Sequence, residues 1–136
     1  MKKYFFILIV LFYADTAFSH SHYPITRDSL EAIKNGKILY NQYCVSCHQA
    51  NLAGATNWQG LDEDGHRKAP PLNGTGHTWH HTDELLHRMI KYGFAKLIKN
   101  YEGKMMGFGD KISDEGIDNI LSVSYTHLTL PTTTIV

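Results

Sequence analysis

The sequence predicts an all-α domain, and three observations carry that expectation. Residues 28–43, 82–92 and 113–121 read as helices from their caps and apolar spacing. The stretches between them, 49–81 and 94–109, read as loop, the second with room for a short helix. Directly after the first helical stretch comes Cys44-Val45-Ser46-Cys47-His48. Two cysteines separated by two residues and followed at once by histidine form the attachment signal for c-type haem. Its thiols add to the two vinyl groups of the porphyrin, and the adjacent imidazole is presented to the iron. A thioredoxin-like redox pair, a disulfide and half of a zinc site compete for the same residues. The sequence contains no further cysteine. Zinc held by Cys44, Cys47 and histidines is the surviving competitor, disfavoured by the adjacent His48 and by an export signal at the start of the chain.

That signal is Lys2-Lys3, an apolar run from Tyr4 to Tyr13, and small residues at Ala17 and Ser19. A basic end, a hydrophobic run short of spanning length and small residues describe a secretory signal peptide over residues 1–19, with cleavage expected after Ser19. An uncleaved membrane anchor is the alternative; Asp15 interrupts the apolar run before it is long enough. Export suits the cysteines, because haem is attached to apocytochromes on the far side of the bacterial membrane. The expected location is therefore the periplasm, without stable membrane insertion once the leader is removed.

The full chain of 136 residues carries 13 basic and 13 acidic side chains. Loss of Lys2, Lys3 and Asp15 leaves 11 against 12, a balance that argues against nucleic acid or an anionic membrane as partner. The mature length suits one domain, small for an apolar core alone but helped by a large buried cofactor. A single attachment motif implies a single haem.

The first helix is read from Asp28 and Glu31, spaced as a capping box, and from Leu30, Ile33, Lys37 and Tyr40 at helical spacing. Gly36 is unfavourable inside it by about 1 kcal/mol relative to alanine, which points to close approach by another helix. The second helix starts at Thr82, a good N-cap, with Asp83 and Glu84 at the positive end of its dipole. Leu85, Leu86, Met89 and Ile90 form its apolar stripe and Gly93 its stop, so Met89 is expected in the core. Ser113 caps the last helix, in which Ile117, Ile120 and Leu121 face inward.

Gly36-x-x-Leu39-Tyr40-x-x-x-Cys44-x-x-Cys47-His48, Ala69-Pro70-Pro71-Leu72-Asn73-Gly74 and Lys104-Met105-Met106-Gly107-Phe108-Gly109-Asp110 occur in that order. Together they resemble a small class I cytochrome c over residues 28–121. The resemblance implies three to five helices around one covalent haem c, first and last helices crossing, with the iron between His48 and a methionine. It implies a monomeric carrier that passes one electron between donor and acceptor proteins, rather than an enzyme. By the same resemblance the Pro71 carbonyl accepts a hydrogen bond from His48, orienting the imidazole. Met105, three residues before Phe108, takes the place of the distal ligand. Met106, which stands where proline is common in the related pattern, is the rival methionine, and His77, His80 or His81 is the main competitor as distal ligand. Glycines at 103, 107 and 109 would let this segment approach a flat porphyrin, and adjacent side chains on an extended loop point opposite ways.

Two stretches fit the resemblance less well. Within 76–81, His77, His80 and His81 could bind copper or zinc, but nothing nearby completes an obvious site. His20 and His22 raise the same question. A periplasmic copper- or zinc-binding protein, or a haem-based sensor in which a small ligand displaces Met105, are thus the alternatives to a carrier. Trp58 and Trp79 are expected either to pack or to donate indole N–H groups to haem propionates. From Ser122 to Val136 the relatives' apolar helix gives way to an atypical tail resembling translated sequencing-adapter read-through. Its β-branched residues and Pro131 predict that the last helix stops near Leu121.

Overall fold

The computed structural model describes residues 29–127. The leader (1–19), His20, His22, Asp28 and the end of the tail (128–136) lie outside these residues. The described chain is helical: α1 Leu30–Tyr43, α2 Val45–His48, α3 Asp83–Tyr92, α4 Phe94–Leu97 and α5 Asp114–His127, with one 3₁₀ turn at Thr78–His80. None of these helices is long and apolar enough to cross a membrane.

Ser29, rather than Asp28, caps α1: its Oγ accepts from the Ala32 N–H at 3.3 Å. Its short hydroxyl satisfies one of the orphan N–H groups of the first turn, and the expected capping box rests on Asp28, outside the described residues. α1 crosses α5 at Gly36, where an added Cβ would overlap the Asn119 carbonyl and press on Val123. Only a residue without a side chain allows that crossing. Tyr40, Leu52, Ile112, Ile117, Ile120 and Val123 make the buried cluster around it. Ile117 is wholly inaccessible, and burial of a side chain of that size contributes about 1.5–3 kcal/mol.

The Thr82 hydroxyl caps α3 by accepting from the Leu85 N–H, and Gly93 stops it at a φ of 77°. Leu86 and Met89 are buried with Leu121, which confirms Met89 as core. Polar contacts add to that seam: His87 Nδ1 lies 2.7 Å from Asp118 Oδ1, and Lys91 Nζ lies 2.6 Å from Asp114 Oδ1.

α5 starts as expected, with Ser113 Oγ accepting from the Gly116 N–H at 3.1 Å. It then runs to His127 instead of stopping near Leu121. Val123 is buried against α1, the hydroxyls of Ser122 and Thr126 bond to the Asp118 and Val123 carbonyls, and Tyr125 donates to Asp83. Tertiary packing outweighs the weak helix propensity of these residues.

Candidate functional site

α1 delivers the chain into the second short helix with hardly a break. Both the Cys47 and His48 N–H groups donate to the Cys44 carbonyl, at 3.2 and 2.9 Å, so the three motif residues occupy one helical turn. Neither cysteine is in a disulfide; Cys44 is half-buried and Cys47 exposed. Burial, and then the neighbouring Cys47, pushes the Cys44 thiol up to about 11, so it is protonated at neutral pH.

His48 is 7% exposed. Burial pulls its imidazole below the ordinary histidine value, only partly offset by the hydrogen bond to Pro70, and so favours the neutral ring. Nδ1 lies 2.9 Å from the carbonyl oxygen of Pro70. With Nδ1 as the donor, Nε2 keeps its lone pair for a metal. The acceptor is therefore Pro70 and not Pro71. The Pro71 carbonyl points elsewhere and accepts from the Thr78 hydroxyl at 3.2 Å. In a Pro-Pro pair successive carbonyls diverge, and sequence spacing alone does not say which one faces the ring. The pair is clamped between two glycines: a Cβ on Gly54 would come within 2.5 Å of Pro70 C, and one on Gly76 would overlap the Pro71 carbonyl. Backbone bonds from Ala55 to Ala69 and from Leu72 to Leu52, at 2.9 and 2.8 Å, hold the loop there.

Met105 and Met106 differ in burial. Met105 is half-buried, whereas Met106 is 60% exposed. Their segment lies along the end of α3: Met106 bridges Gly93, and the Phe108 and Gly109 N–H groups each donate at 2.9 Å, to the carbonyls of Ile90 and Lys91. Gly93 and Gly107 allow this contact, since a Cβ on either would run into the other strand of backbone. Phe108 meets Tyr43 edge-on with ring centroids 6.0 Å apart, which brings the methionine segment to the helix end that carries Cys44. Tyr43, Cys44, Val45, Leu72, Ile90 and Phe108 all border the main buried cluster and are all left partly uncovered.

These residues fit a haem. A buried neutral imidazole already oriented by a carbonyl, two unpaired thiols on the same turn, a half-buried thioether and a rim of half-covered apolar side chains are the donor set and surroundings it requires.

The histidine-rich stretch is used differently. The His80 ring stacks on Trp79 at 3.5 Å, and His77 lies between Trp58 and His81, at 5.9 and 5.5 Å. Trp79 donates its indole N–H to the Gly76 carbonyl at 3.1 Å and so spends it on its own turn. Among the described residues, the group of three whose ligand atoms converge is Asp62, Asp64 and His66, not the three histidines. Both carboxylates of that group are engaged by Lys104, at 2.7 and 2.8 Å. Thr78 and this ionic group are the features that sequence reasoning passed over. Alternate carboxylates ahead of a glycine, Asp62-Glu63-Asp64-Gly65, were the available signal for a side-chain-capped turn.

Helices that cross at a glycine, a Cys-x-x-Cys-His turn with its oriented imidazole, and a methionine segment brought to it define a c-type cytochrome domain. The family model described as cytochrome C oxidase, cbb3-type, subunit III matches residues 31–122, from the first turn of α1 into α5, and the chain belongs to that family. It is thereby a cytochrome c domain with the class I fold, and a haem-based electron carrier. No curated protein and no solved structure matches the chain.

Proposed function

We propose that this protein is a monomeric, exported carrier holding one haem c covalently through Cys44 and Cys47. In this reading His48 and Met105 are the axial ligands, and one electron at a time passes between a donor and an acceptor protein in the periplasm after cleavage following Ser19. The carrying observation is the buried His48, its Nδ1 spent on Pro70 and its Nε2 left for iron, on the same turn as two unpaired thiols. When bound, the haem supplies an iron that changes valence by one electron. The protein's part is to hold both ligands in either state, so that little reorganises on transfer, and to keep water from the apolar rim. Half-burial of Met105 beside a 60% exposed Met106 supports the choice between them. The family description names an oxidase subunit, which supports respiratory proteins as partners. A carrier, rather than an enzyme, needs no open position on the iron.

The test is denaturing mass spectrometry after expression with a haem-attachment system. The mature chain should carry the mass of one haem, and a Cys44→Ala, Cys47→Ala double variant should carry none. Unmodified polypeptide from the wild-type gene under those conditions would overturn the reading.

A further inference from the structure

Lys104 immediately precedes Met105, and its Nζ reaches two carboxylates at once: Asp62 Oδ2 at 2.7 Å and Asp64 Oδ2 at 2.8 Å. Those carboxylates are presented by a turn that is itself tightly bonded. Asp62 Oδ1 accepts from the Asp64 and His66 N–H groups at 3.0 and 2.8 Å, and the Asp62 N–H donates to the His66 carbonyl at 2.8 Å. The backbone makes a second link beside the ion pairs. Arg67 N–H donates to the Glu102 carbonyl at 3.1 Å, and Arg67 and Gly103 form a parallel bridge.

All of these contacts lie on the N-terminal side of Met105. On its C-terminal side the segment is fixed to α3 through Met106, Phe108 and Gly109. Met105 is thus suspended between two anchors of different kinds. The second is backbone against backbone, guarded by Gly93 and Gly107. The first combines one backbone bond at Glu102 and the bridge at Gly103 with the ion pairs of a lysine that is 54% exposed. Its partner turn is also the approach to Ala69-Pro70, the stretch that orients His48. One set of charges therefore joins the loop behind the proximal ligand to the loop of the distal one.

We propose that Asp62, Asp64 and Lys104 form an ionic clasp that holds the Met105 segment against the loop leading to Pro70, and so governs how readily an external ligand replaces the thioether on iron. The three are positioning residues, acting through Met105, and the inference rests on the reading of Met105 as distal ligand. Exposed pairs are individually weak and are screened by salt, so their loss changes the opening of one segment and not the fold. Opening is the step that an incoming ligand must await.

The test uses the oxidised holoprotein and imidazole, above its pKa and so uncharged, with binding followed by stopped-flow absorbance. At low ionic strength Lys104→Met should bind imidazole about threefold faster than wild type, and Lys104→Glu about fivefold or more. The double variant Lys104→Glu, Asp64→Lys keeps the Asp62 carboxylate that caps the turn, restores one attraction with the signs reversed, and should return the rate part of the way towards wild type. Salt supplies a measurement that needs no variant: the wild-type rate should rise towards that of Lys104→Met, whose own rate stays level. Equal rates for wild type and Lys104→Met at low salt would overturn the clasp. Met105→Ala separates the two claims. If it keeps the sulfur-to-iron absorption band, the ligand assignment fails; if it loses the band while the Lys104 variants behave as wild type, the clasp alone fails.

Discussion

His48 ends a helical turn, is almost wholly buried and has its second nitrogen committed to Pro70, whose own loop is wedged between Gly54 and Gly76. Met105 sits in an irregular segment, half-exposed, between an ion-paired lysine and a backbone bridge at Met106. Both are suited to the same iron, yet the first shares a helical turn with the cysteines and has its ring fixed by the Pro70 carbonyl, while the second is held by an exposed ion pair and a backbone bridge. Buried hydrogen bonds are costly to break, because each leaves an unpaired polar atom, while exposed ion pairs exchange readily with water and salt. The His48 side is therefore the fixed part of the proposed site, and the Met105 side the one that variation, ligands and ionic strength should move.

The largest effect is expected at Met105. Met105→Ala should abolish the weak sulfur-to-iron band of the oxidised protein and lower its reduction potential, whereas Met106→Ala should leave both nearly unchanged. The reverse pattern would move the ligand to Met106, and loss in neither would point to a second imidazole or to five-coordinate iron.

A smaller effect is expected from the backbone that carries Met105. Gly93→Ala combines a φ of 77° with a Cβ 2.6 Å from Gly107 N, and should destabilise the holoprotein by about 2–4 kcal/mol in chemical denaturation. Gly65→Ala, at a φ of 82° but with open space around it, should cost less, about 1–2 kcal/mol. Equal losses would show that strain, and not the close approach of the Met106 strand to α3, governs that site.

On the proximal side, Thr78→Val removes the hydroxyl that satisfies the buried Pro71 carbonyl. The expected cost is about 1–3 kcal/mol, with Thr78→Ser close to wild type. The sulfur-to-iron band should survive in both, because the disturbance lies behind His48.

What was readable in the sequence divides along the same line. The haem motif, the caps at Thr82 and Ser113, the stop at Gly93 and the crossing glycine at 36 are local or nearly so, and the chain's own spacing declares them. Pro70 in place of Pro71, the reach of α5 to His127 and the indole bond of Trp79 depend on which way a carbonyl, a helix face or a ring is turned by distant packing. The cap at Ser29 is a one-residue matter of register, the least determined property of a helix end. The link from Lys104 to Asp62 spans 42 residues of sequence, and no periodicity signals it.

The smallest expected effect concerns acid. The Asp62 carboxyl is held down at about 2, chiefly by the hydrogen bond from Lys104 and then by the His66 N–H. Its folded value lies below the ordinary one, so its contribution is complete above the usual carboxylate range, about 4, and is lost as pH falls towards 2. Carboxyl-carbon NMR should find Asp62 titrating well below an ordinary aspartate, and rising towards about 4 in Lys104→Met. An unchanged value in that variant would remove Lys104 as the cause.

The proposed carrier requires a single iron that keeps His48 and Met105 while it gains and loses one electron. A potentiometric titration of the purified holoprotein, followed at the sulfur-to-iron band and the haem bands together, tests it most directly. The predicted result is one transition with a one-electron slope, in which the sulfur-to-iron band tracks the oxidised fraction throughout. A transition with any other slope, or an oxidised form that lacks the band, would contradict it.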